Sequence, residues 1–110
     1  MQIELIIDGE KKIFTAPFIP MLARRKYFEI QAKAEEREER EEKPTTKEIL
    51  SEDDEIMSIL TNVVFKDQFT INQLLEGASK TYVDGKLAEA VFGIAPKAKK
   101  EGNEGNEQGK

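Results

Sequence analysis

The fifteen residues from Val63 to Gly77, VVFKDQFTINQLLEG, constrain the fold more tightly than any other part of the chain. An apolar run ends at Phe65, the charged Lys66 and Asp67 follow, and Thr70 then forms a Thr-x-x-Gln capping box with Gln73. In such a box the threonine oxygen accepts from the backbone N–H three residues on, and the glutamine reaches back to the threonine N–H. Two donors that have no partner inside a helix are thereby satisfied. Phe69 and Leu74 have the spacing of a hydrophobic staple across that start. The stretch predicts the end of one amphipathic helix, a tight break, and a short helix that stops near Gly77, a residue suited to C-terminal caps.

The flanking segments extend this pattern. Upstream, Ile56, Ile59, Leu60, Val63 and Val64 repeat at i, i+3, i+4, i+7 and i+8, the signature of a core-facing helix. Ser51 stands where an N-cap is expected, with Asp54 as a capping-box analogue. Glu52, Asp53, Asp54 and Glu55 would then fill the first turn, where negative charge favours the helix dipole. Downstream, a final helix from about Ser79 carries Val83, Leu87, Ala90, Val91 and Ile94 on one face, with Gly93 and Pro96 to end it.

The N-terminus has a different period. Ile3, Leu5 and Ile7 alternate with Gln2 and Glu4, as in a half-buried strand. Asp8-Gly9 is a hairpin-turn signal, because a two-residue turn needs residues that tolerate positive φ. Lys12 to Ala16 returns as a second strand with Ile13 and Phe14, and Pro17 ends it. Pro20 then suits the first position of a helix, where its missing N–H costs nothing. Ala23, Tyr27, Ile30 and Ala34 form the apolar stripe of that helix, widened by Met21, Phe28 and Ala32.

Glu35 to Glu42, EEREEREE, continues the helix without an apolar face; intrahelical Glu36–Arg40 and Arg37–Glu41 pairs contribute only about 0.2–0.5 kcal/mol each, so this end is expected to fray. Pro44 requires a stop at or before Lys43, and Pro44 to Leu50 reads as a surface loop. Ala95 to Lys110 has no large apolar residue to offset its ordering entropy, so disorder is expected there. The expected fold class is α+β, mostly α: an N-terminal β-hairpin, about four helices and a disordered C-terminal tail. Residues 1–94 are expected to form a single domain, with a charged helix extension and loop at about 35–50, and residues 95–110 the tail.

Several function classes are disfavoured on composition. A net charge of −5 argues against a nucleic-acid surface, which needs clustered basic groups to displace counterions. The chain has no histidine and no cysteine, which removes the commonest general base, the commonest metal ligands and thiolate chemistry. Ser and Thr therefore lack an evident activating base, and Asp84-Gly85-Lys86 lacks the spacing of a phosphate loop. The acids at Glu52–Glu55 do not alternate around a glycine turn as a calcium loop requires. No apolar run nears the ~20 residues of a membrane span, and MQIELIID has no basic leader, so a cytoplasmic protein is expected. These points imply a non-enzymatic protein with no catalytic residue, metal or cofactor. Tyr27, Phe65 and Phe69 fall on or beside the apolar stripes and are expected in the core. Met21, Phe28 and Phe92 lie partly off them, which makes these three the candidate partner-binding residues.

The order of these elements resembles the tail assembly chaperones of long-tailed bacteriophages and prophages. The matching stretches are the hairpin Ile3–Phe14, the Phe-x-x-Pro lead-in to a charged helix over Ala16–Ile30, and the acid-capped helix Glu52–Phe65 ending Val-Val-Phe. Asp67–Ile71, Asp-Gln-Phe-Thr-Ile, and Leu74–Gly77, Leu-Leu-x-Gly, complete a likeness that spans about Met1 to Ile94. The Phe-Thr-Ile segment with its downstream glycine is the most specific part, and the charged run EEREEREE is the departure from the pattern. The resemblance implies a chaperone that binds the tape-measure protein before the tail tube protein polymerises around it, acting in the host cytoplasm and absent from the mature virion. It also implies a short form of a frameshift pair; Gln108-Gly109-Lys110 is compatible with slippery codons. The competing readings are a structural head-tail connector or other virion protein, and an acidic adaptor or inhibitor of a cellular protein. A homo-oligomer is compatible with all three.

Overall fold

The computed structural model describes residues 1–93; Ile94, Pro96 and the expected disordered tail at 95–110 lie outside the described residues. The alternating N-terminus forms strands β1 (Gln2–Ile7) and β2 (Glu10–Thr15), paired antiparallel with Ile3 opposite Phe14 and Leu5 opposite Lys12. Asp8 and Gly9 both have positive φ, 54° and 78°, as a type I′ turn requires. A two-stranded sheet is marginal alone, and its inner residues Ile3 and Leu5 are fully buried against the helices. The Tyr82 hydroxyl also accepts a hydrogen bond from the Glu4 backbone N–H at 3.0 Å.

Helix α1 (Leu22–Glu39) begins two residues beyond Pro20, which instead closes a turn by accepting from the Ala23 N–H at 3.0 Å. It buries Ala23 and Ile30 and half-buries Tyr27 and Ala34, the expected stripe, while Met21, Phe28 and Ala32 stay exposed. The helix runs on through the acidic stretch to Glu39. Its end is a Schellman motif: Glu42 N–H donates to Arg37 O at 3.0 Å and Glu41 N–H to Glu38 O at 2.9 Å. Glu41 takes the left-handed position, φ 57°, that glycine usually fills.

Helix α2 (Thr46–Ser58) corrects the expected loop at Pro44–Leu50 and the expected N-cap at Ser51. Thr45 is the N-cap, and a complete capping box joins it to Glu48, with bonds of 3.1 and 2.8 Å. The Thr45 backbone N–H that Glu48 accepts holds its carboxyl below the usual carboxylate range. The earlier start moves Glu52–Glu55 out of the first turn. Instead, α2 lies alongside α1, and the ion pairs Lys33–Glu55 (3.2 Å) and Arg37–Glu52 (2.8 Å) join the two. The charged extension is therefore braced by α2. Arg37 pairs with Glu52 and Arg40 with Glu42, in place of the expected partners Glu41 and Glu36.

After Ser58 the backbone widens into a π-helical segment, Ile59–Val64, in which the Phe65 N–H reaches the Leu60 carbonyl at 3.0 Å. Ile59, Leu60, Thr61, Val63 and Val64 are all buried here. Lys66 and Asp67 then reverse the chain, both at positive φ. Helix α3 (Ile71–Gly77) starts at the expected box, with Thr70 and Gln73 exchanging two 3.0 Å bonds. Helix α4 (Lys80–Phe92) is capped by Ser79 and ended by Gly93 in the left-handed conformation, φ 74°. The core joins the hairpin to the helices: Phe65 packs against Phe69 with the rings tilted 49° (centroids 5.3 Å apart), and Phe69 against Phe14 at 52° (5.0 Å). Ile3, Leu5, Ile59, Leu60 and Leu74 complete its fully buried part.

Gly77 has a role other than the cap expected of it. Its φ is not positive, and Ala78 is the C-cap. A Cβ at Gly77 would lie 2.7 Å from the Ile6 carbonyl oxygen and 3.2 Å from Leu5 Cβ, so the missing side chain is what lets α3 press against β1.

Candidate functional site

The candidate partner-binding residues lie partly off the apolar stripes, and all three are exposed: Met21 by 76%, Phe28 by 43% and Phe92 by 47%. Phe28 lies on α1 and Phe92 is the last residue of α4, next to the C-cap Gly93. The packing of α1 on α4 brings them together. Their ring centroids are 6.1 Å apart, and Tyr27 contacts both, at 5.4 Å from Phe28 and 5.7 Å from Phe92. All three contacts are edge-to-face, the arrangement in which the positive ring edge meets a negative ring face.

The rings are fixed from several sides. Tyr27 is half-buried and its hydroxyl accepts from Gln31 Nε2 at 3.0 Å. The Arg24 guanidinium lies 4.9 Å from the Phe28 centroid, a cation–π contact that holds a positive charge beside the patch. Met21, two turns before Phe28 on α1, lines one shallow groove with it, together with Arg24, Arg25, Glu29 and Ala32. Phe92 does not reach that groove; it joins the patch through the rings alone. The result is an apolar surface with basic neighbours, made of aromatic groups with few rotamers to lose on contact.

A second apolar surface does not follow from the residue spacing. Between α2, α3 and α4 lies an open cavity of about 350 Å³, lined by Ile56, Met57, Leu74, Leu75, Val83 and Leu87. Asp53, Lys80 and Asp84 also line it, and Lys80 pairs with Asp84 at 2.8 Å. That carboxylate bond, and Asp53 nearby, hold the Lys80 ammonium above its usual pKa. The signal that could have found the surface is the Thr45-x-x-Glu48 box. It starts α2 early enough to place Ile49 and Leu50 one or two turns from the cavity.

Among the described residues no cluster of three acidic, histidine or cysteine groups is placed to hold a metal ion, and no helix is long and apolar enough to cross a membrane. The surface chemistry on view is contact chemistry: rings, methyl groups and exposed ion pairs. A family model described as phage tail chaperone protein matches residues 1–110. No curated protein and no solved structure matches the chain.

Proposed function

The chain belongs to the phage tail chaperone family, and from that premise we propose that it binds the tape-measure protein and keeps it competent while tail tube protein assembles around it. The family match over residues 1–110 carries this reading. The surface of Met21, Phe28 and Phe92 supports it as the client contact, because exposed aromatic groups held in place lose little entropy on burial and are typical anchors of protein interfaces. The role is non-enzymatic: the protein works by covering apolar segments of its client, in the host cytoplasm, and leaves before the particle is complete. Translation of a longer, frameshifted form belongs to the same proposal. Reading the codons for Gln108, Gly109 and Lys110 tests it, since codons without a slip site remove that support.

The role is tested by mass spectrometry of purified particles against the infected-cell lysate. A chaperone is abundant in the lysate and missing from particles. Recovery from particles in fixed ratio to the tail tube protein would make the chain a structural head-tail or tail component instead.

A further inference from the structure

We propose that the cavity between α2, α3 and α4 is a second docking site, which receives an amphipathic helix carrying basic residues beside its apolar stripe. This goes beyond capture at the aromatic patch and does not depend on it.

Three observations carry the inference. The cavity is apolar and open, and its apolar lining continues outward over side chains that stand exposed among the described residues. Leu75 is 56% exposed, and Leu50 and Ile49 on α2 are 61% and 45% exposed. Ile49 to Ile56 and Leu50 to Met57 are each seven residues apart, so this strip runs for about 10 Å, or two helical turns, along α2. A partner helix presents apolar groups over the same distance at i, i+3, i+4 and i+7.

Charge selects the partner. Three charged side chains line the cavity, Asp53, Lys80 and Asp84; Lys80 and Asp84 pair with each other at 2.8 Å, which leaves the wall with a net negative charge at Asp53. Asp53, on the cavity wall, makes no ion pair among the described residues, unlike its neighbours Glu52 and Glu55, which pair with α1. A second copy docked by the same face would bring two Asp53 carboxylates together, whereas a basic helix would supply the cation that Asp53 lacks.

The probe is a fluorescein-labelled synthetic peptide of about 18 residues, long enough for some five turns. Its leucines follow helical spacing and its flanking positions are lysine; a matched peptide carries glutamate there. Binding to the full chain is read by fluorescence anisotropy at low and high salt. The lysine peptide is expected to bind at least about tenfold more tightly than the glutamate peptide at low salt, with a gap that narrows as salt rises. Leu75→Gln and Asp53→Lys should each weaken the lysine peptide by about tenfold, while Ile13→Gln, on the outer face of the hairpin, should leave it unchanged. Circular dichroism checks that all three variants fold. Equal affinity for both peptides, no binding, or loss in Phe28→Ala but in neither cavity variant would overturn the proposal. So would a dimer of the unliganded chain that Leu75→Gln converts to monomer, since a second copy would then cover the face.

Discussion

Replacing Leu60 with aspartate is expected to unfold the protein. Leu60 is fully buried in the π-helical segment, among apolar neighbours that include Ile59 and Val64. A carboxylate there meets no cation, and burying it uncompensated costs several kcal/mol even after relaxation. Loss of the leucine's own packing adds about 2–5 kcal/mol. A domain of this size has about 5–13 kcal/mol in total, so the two effects together remove most or all of its stability. Far-UV circular dichroism should lose its helical signal at 25 °C. Leu60→Met keeps volume and apolarity and should cost under about 1.5 kcal/mol, which separates charge burial from repacking. Leu75→Asp, on an exposed face, should stay within about 0.5 kcal/mol of the parent. A helical, cooperatively melting Leu60→Asp protein would mean that the core lies elsewhere.

The second large effect is expected at Gly77, where two influences have opposite sign. Inside a helix, glycine to alanine is ordinarily stabilising by about 1 kcal/mol. At Gly77 the new methyl would lie 2.7 Å from the Ile6 carbonyl oxygen and 3.1 Å from the Ile6 nitrogen. Both are backbone atoms of β1, which cannot swing aside as the tip of a flexible side chain could. Either α3 moves off the hairpin or β1 bends, at the roughly 1–3 kcal/mol typical of overpacking, and occasionally more. The clash outweighs the propensity gain, so Gly77→Ala should lower the urea midpoint, and Gly77→Val should lower it further. A raised midpoint would mean that α3 does not press on β1 as described.

How much of this could be read in the sequence depended on how local each cause was. The hairpin turn at Asp8-Gly9 and the Thr70–Gln73 box are set within four residues, and both form as expected. The start of α2 is not legible in the sequence because its first turns bury nothing: every residue from Thr46 to Ser51 is exposed, so no apolar stripe marks a helix there. The π-helical segment is equally hidden, because Ile59, Leu60, Val63 and Val64 also satisfy an ordinary helical repeat. Only the buried, polar Thr61 departs from that pattern. Gly77 was assigned the wrong reason, since its contact is with Ile6, far away in the chain. For the candidate site, exposure of Met21, Phe28 and Phe92 followed from their position off the stripes. The meeting of Phe28 with Phe92 is set by how α1 packs on α4, which no local spacing records.

Whether this fold exists to hold a client is decided by co-expressing the chain with its proposed client, a phage tape-measure protein, and measuring the soluble, co-purifying fraction. With the parent chain the tape-measure protein should stay soluble and elute in complex. A folded Phe28→Ala/Phe92→Ala double variant should leave most of it in the pellet. Equal solubility with the parent, with the double variant and with no partner at all would show that the chain does not chaperone this client.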